Sequence, residues 1–194
     1  MIIPEISNSP ITLIFLLLSL VISALLTLQI LKTEQLYFDN NHIFKDKEFW
    51  RFFTSIFCYG KLEIQVIVNI FICFLSMSRI ESMFFSQKPV DFLCFLLFGW
   101  LSLWVYSSFK PQLFLGKFFS CYVDYYYGKI HNQKMLFILV LLIITVSKNL
   151  EGNIISLVTS HLYFFFKDVL RVRYNFCLFE MPECLNRALS SLLK

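Results

Sequence analysis

Ser120 and His161 are the two residues of this chain whose types could build a catalytic pair. Serine proteolysis inside a bilayer needs a serine nucleophile and a histidine base that meet across helices. Ser120 stands in the run Gly116-Lys117-Phe118-Phe119-Ser120-Cys121. Glycines flanking the serine, as in a G-x-S-G run, would leave a bare backbone beside the hydroxyl that lets substrate come close. Those flanking glycines are missing. His161 lies one residue, about 100° of helix, away from the face that carries Ser156, Ser160 and Tyr163, and a lone histidine on an apolar helix is ordinarily packed and hydrogen-bonded. The expectation is therefore that no residue is catalytic, with a Ser120–His161 protease as the first alternative and a small transporter as the second. No G-x-x-x-x-G-K-[ST], G-x-G-x-x-G or H-E-x-x-H run occurs, and five glycines leave little for a phosphate-cradling loop. His42 and His131 sit in polar loops. Of the six cysteines (Cys58, Cys73, Cys94, Cys121, Cys177 and Cys184) none forms a C-x-x-C pair. They read as small buried hydrophobes, and neither metal nor cofactor is expected.

Polar residues recur at helical spacing within apolar runs. Gln65, Asn69 and Ser76 stand at offsets 0, 4 and 11; Lys117, Ser120, Asp124 and Tyr127 at 0, 3, 7 and 10; Ser156, Ser160, Tyr163 and Lys167 at 0, 4, 7 and 11. Each set falls on one helix face. Polar groups in a membrane span are costly and face a bundle interior or a wet cavity. Interhelical hydrogen bonding accounts for Asn69, Ser156 and Ser160. Lys117 and Asp124, two turns apart, ask for water or a partner. Packing and a hydrophilic groove lined by Gln65, Asn69, Ser76, Lys117, Ser120, Asp124 and Tyr163 both remain open.

The elements that must position these residues are membrane spans. Of the 194 residues 58% are hydrophobic and only 15% charged, with 24 phenylalanines; an average soluble domain carries about 25% charge. Mean hydropathy is +0.69. The net charge of +4 is dispersed and points to no nucleic acid. Six spans are expected, near residues 11–31, 62–77, 92–109, 112–128, 135–147 and 154–166. The first follows MIIPEISNSP, which has no Lys or Arg, and its apolar run of 21 residues exceeds a signal core, so it reads as a retained span. Six spans place both termini on one side. Nine Lys and Arg fall on that side and seven on the other, which favours cytosolic termini. Spans two, five and six come out at only about 20–24 Å, against a hydrocarbon core of about 30 Å, from which local bilayer thinning is expected.

Four ordered segments resemble the Derlin family. They are Phe49-Trp50-Arg51-Phe52-Phe53-Thr54-Ser55-Ile56-Phe57, with the family's Trp-Arg pair; Val68-Asn69-Ile70-Phe71 running on to Ser78-Arg79-Ile80-Glu81; Asp91-Phe92-Leu93-Cys94-Phe95-Leu96-Leu97-Phe98-Gly99-Trp100; and Leu157-Val158-Thr159-Ser160-His161-Leu162-Tyr163-Phe164-Phe165. Where the family's sixth span has Gly-x-x-x-Gly, this chain has Ser156-x-x-x-Ser160, still small enough for close helix approach. The loop between spans one and two lacks the family's longer Gly/Pro-rich piece, and the tail shows no clear ATPase-docking motif. The resemblance implies an all-α, six-helix rhomboid-like membrane bundle over residues 1–166 with a cytosolic tail, 167–194. It also implies a non-proteolytic protein of the endoplasmic-reticulum membrane that helps move misfolded proteins from lumen to cytosol. Implied partners are membrane lipids, misfolded clients, a membrane ubiquitin ligase complex of the HRD type and a cytosolic AAA+ unfolding ATPase. Trp50 and Arg51 fit an interfacial anchor with both side chains at headgroup level. Glu81, two residues from Arg79, need not pair with it.

Overall fold

A computed structural model describes residues 9–36, 38–39, 42–43, 45–84, 88–131 and 149–174. Helix α1 spans Pro10–Thr27. Proline suits its first position because the missing N–H would be unbonded there in any case. The helix closes at Gln29, which takes a left-handed φ of 59° while Ile30 N donates to Leu25 O at 3.1 Å. Its inward face is Thr12, Phe15, Ser19, Ser23 and Leu26, and its outward face includes Ile14, Leu17, Leu18 and Val21. Small polar residues point in and large apolar ones point out, the reverse of a soluble helix. Hydrocarbon is as apolar as leucine, so helices associate through close packing of small residues instead.

The helices that follow are α2 Arg51–Phe57, α3 Ile64–Phe84, α4 Pro89–Phe109, α5 Leu115–Ile130 and α6 Leu150–Phe164. A five-residue π turn, Phe165–Val169, carries α6 without a break into α7, Leu170–Tyr174. Large apolar side chains stay exposed along α3 (Ile67, Val68, Phe71), α4 (Leu97, Leu101, Val105) and α6 (Ile154, Val158, Leu162). Helices α1, α3 and α4 are each long and apolar enough to cross a bilayer. The described residues thus form an all-α, multi-pass membrane protein.

Helix α5 is the axis of the bundle. Only Lys117, Tyr125, Lys129 and Ile130 of its sixteen residues are more than marginally accessible, and it packs against α2, α3, α4 and α6. Shielded from lipid by those neighbours, it can carry polar groups that an outer helix could not. Two glycines let it be approached. A methyl group at Gly99 of α4 would lie 2.7 Å from the Tyr122 ring. One at Gly116 would lie 2.8 Å from the Ile56 carbonyl oxygen. The core around α5 is aromatic: Phe95 sits 4.8 Å from Tyr122, 4.6 Å from Tyr126 and 5.1 Å from Tyr163, centroid to centroid.

The helix ends differ from the sequence expectation: α1 stops at Thr27, short of Leu31, with the chain turning at Gln29, whereas two later helices run on. Helix α3 continues past Met77 to Phe84, 21 residues or about 31 Å. Helix α6 begins at Leu150, ahead of Ile154, and does not stop at Phe166. Charged residues were read as span ends, yet Arg79 and Glu81 stay in the helix because neighbours satisfy them. The shortfall expected of span two therefore disappears, and with it that span's argument for bilayer thinning; the apolar stretch of α6 stays bounded by Glu151 and Lys167. Span five, 135–147, lies outside the described residues, as does the tail beyond Tyr174.

Candidate functional site

The first turns of α5 carry Ser120 into a closed polar cluster. Helix α2 ends at Phe57, and the chain turns at Gly60, whose φ of 106° suits glycine alone. Gly116 N donates to Cys58 O at 3.3 Å, docking this turn on α5. The docked turn points Tyr59 inward, and its hydroxyl meets Ser120 Oγ at 2.8 Å. The Cys73 thiol of α3 hydrogen-bonds in the same cluster. One helical turn further along α5, Asp124 is bonded to Ser76 of α3, while its Oδ1 has no partner among the described residues. Tyr59, Ser76, Ser120 and Asp124 are all buried. Burial raises the Tyr59 hydroxyl well above its ordinary value. It is therefore a neutral phenol that can share a proton with Ser120 but cannot remove one.

His161 is elsewhere. It is exposed on the outer face of α6, and its Nδ1 lies 3.1 Å from Tyr125 Oη. The structure thus gives Ser120 and His161 separate partners on separate surfaces. Ser160, on the inner face, donates to the Tyr122 carbonyl at 2.8 Å, and Ser156 to that of Gly152 at 2.8 Å. The expected small pair of α6 is a seam against α5.

The seven residues proposed to line one hydrophilic groove do not share one open surface. Ser76, Ser120, Asp124 and Tyr163 are buried; Asn69 and Lys117 are half-buried and Gln65 is exposed. Helical spacing gives the face of each residue, but neighbouring helices cover that face along only part of its length. Lys117 and Asp124 form no ion pair among the described residues; the Lys117 ammonium stands 5.2 Å over the Phe114 ring.

Three charged residues have roles that spacing did not reveal. Arg51 was expected beside Trp50 at headgroup level. Trp50 is 54% exposed, but Arg51 is only 4% exposed. Its Nε donates to Glu48 and its Nη1 to the Glu34 carbonyl at 2.6 Å. The guanidinium fastens the loop between α1 and α2, where a planar fork of donors can serve two acceptors at once. Glu81, at the last turn but one of α3, accepts from Ile11 N at 3.1 Å, Thr12 N at 2.8 Å and Thr12 Oγ1 at 2.6 Å. It caps α1 from another helix, where Ser9 makes no side-chain cap bond. Arg79 donates to Tyr127 Oη at 2.7 Å. The motif residues Arg79 and Glu81 thus tie α3 to α5 and α1 respectively.

A model of the Der1-like family matches residues 9–183, nearly the whole chain and every element described above. The chain belongs to the Der1-like family. Its members include the Derlins, associated with degradation of endoplasmic-reticulum proteins. A 91-residue stretch, 47% of the chain, is 34% identical to Derlin-1.2 of Zea mays. That stretch spans 37% of the maize protein. Within a Der1-like frame, the contribution of Tyr59 to the Ser120 cluster is what the sequence reading missed. Its position beside Gly60, ahead of an apolar span, was the available signal: the glycine marks a turn tight enough to aim the preceding side chain inward.

Proposed function

We propose that this chain is a non-catalytic Derlin-like factor of the endoplasmic-reticulum membrane, with both termini cytosolic. In this reading it assists the passage of misfolded proteins from the lumen or membrane to the cytosol for degradation. The observation that carries the reading is the pairing of Ser120 with Tyr59. A serine held by a neutral phenol inside a closed cluster, with His161 bonded to Tyr125 on the outer face, supports a family member without a nucleophile–base pair. Clients would meet polar positions that remain accessible at one end of the bundle: Gln65 and Asn69 at the start of α3, and Lys117 at the start of α5. A membrane ubiquitin ligase of the HRD type and an AAA+ unfolding ATPase are the partners this role requires.

The test is the turnover of a misfolded luminal glycoprotein in cells expressing wild type, Ser120→Ala or Gln65→Leu/Asn69→Leu at equal levels. Ser120→Ala is expected to leave turnover unchanged and the double variant to slow it. A serine-directed phosphonate probe is expected to leave Ser120 unlabelled. Labelling of Ser120, together with loss of turnover in Ser120→Ala, would return the protein to the proteases.

A further inference from the structure

At the end of the bundle where α5 finishes and α6 passes into its π turn, the helices diverge around a pocket of about 400 Å³. Lys129, Lys167 and Arg171 line it with Asp168, and Tyr126 and Phe164 form its walls. Three cations thus share the pocket with one carboxylate, to which Tyr126 Oη donates at 3.4 Å. Lys88 at the start of α4 adds positive charge near Lys167 and Asp91 a counter-charge. The Lys129 ammonium stands 5.8 Å over the Phe164 ring, and that of Lys167 5.8 Å over the Tyr163 ring. Aromatic faces hold both ammoniums beside the cavity. The π turn carries Lys167 and Asp168 into this wall, with Arg171 following in α7, and such turns recur at functional sites.

We propose that this pocket binds the phosphate-bearing headgroup of an anionic membrane lipid. The volume lies at the lower end of the usual range for small-ligand sites, about 300–1,000 Å³. That suits a single headgroup rather than a peptide. Basic pockets between transmembrane helices recognise such headgroups by charge. What selects a lipid over a free phosphate is the surface beside the pocket. Ile154, Val158 and Leu162 of α6 and Phe165 of the π turn are exposed at offsets 0, 4, 8 and 11, an apolar stripe interrupted by His161 that ends next to the pocket-lining Phe164. A headgroup in the pocket can lay its acyl chain along that stripe. The proposal rests on the membrane fold and is independent of whether the protein moves clients.

Native mass spectrometry of the full chain, released from phosphatidylcholine micelles doped with phosphatidylinositol phosphate, tests it. Wild type is expected to retain the anionic lipid over phosphatidylcholine by about tenfold or more, since each basic side chain contributes roughly fivefold. Lys129→Gln/Arg171→Gln is expected to lose most of that preference at unchanged thermal stability. Leu162→Gln is expected to weaken retention of the lipid without changing binding of soluble inositol phosphate. Equal retention of both lipids by wild type overturns the proposal. So does a preference that survives the double substitution at unchanged stability. Soluble inositol phosphate binding as tightly as the lipid would assign the pocket to a free anion and overturn the lipid assignment. Should the double variant fail to fold, the wild-type comparisons decide alone.

Discussion

A charged side chain in this protein acquires its meaning from what it reaches across the bundle. Glu81 serves two backbone amides and a hydroxyl of α1. Hydrogen bonds to a charged group contribute about 1.5–3 kcal/mol, so Glu81→Ala is expected to destabilise by roughly that amount, read as a lower thermal midpoint in detergent. Glu81→Gln, which keeps one acceptor, is expected to lose less. Equal midpoints for all three would remove the capping role. Arg51→Lys loses the two-acceptor fork and is expected to lower the midpoint, whereas Trp50→Ala, at an exposed site, is expected to leave it nearly unchanged. Burial pushes the Cys58 thiol up to about 11. Only the thiolate reacts with a maleimide, so at pH 8 the native protein should leave Cys58 unlabelled and label it after denaturation. Rapid native labelling would show that the α2–α5 docking turn opens.

At the scale of helices, hydropathy and period made most elements legible, while their ends and contacts were not. Apolar runs disclosed α1, α3, α4 and α6, but Arg79, Glu81 and Lys167 were read as stops. A charge ends a span only when it must face lipid or headgroups; one that finds a partner on a neighbouring helix lets the helix run on, and partners are invisible in a single sequence. The Ser120–Tyr59 bond joins residues 61 positions apart, and no periodicity predicts it. Arg51 was misjudged for the same reason, because its acceptor on Glu34 belongs to a loop whose course the sequence does not give. The small-residue seams, by contrast, were visible in Ser156 and Ser160 because size is a local property. Gly116 shows how tight these seams are. Adding a methyl there brings it against the Tyr59 ring and the Ile56 carbonyl oxygen. A backbone atom cannot swing aside, so Gly116→Ala is expected to cost about 1–3 kcal/mol of stability and to disturb the Ser120–Tyr59 bond. A wild-type melting curve for that variant would contradict the packing described.

Across the whole molecule the two ends of the bundle differ in charge. At the end that holds the start of α1 and the close of α3, α5 and α6, six Lys and Arg stand with three carboxylates among the described residues; at the other, seven stand with six. In the proposed orientation, with both termini cytosolic, the first end faces the cytosol. An Asn-x-Ser acceptor engineered beside Lys47 is therefore expected to be glycosylated in microsomes, and one appended to the C-terminus is not. The opposite pattern would invert the protein.

The cap on α1 also has a bearing on the order of synthesis. Ile11 and Thr12 leave the ribosome about 70 residues before Glu81. At about 5–20 residues per second, the first span waits roughly 4–14 seconds for the carboxylate that fixes its start. During that interval its depth in the membrane is free to adjust. In a nascent chain arrested before Glu81, a Ser9→Cys thiol should react with an aqueous maleimide that the finished protein excludes.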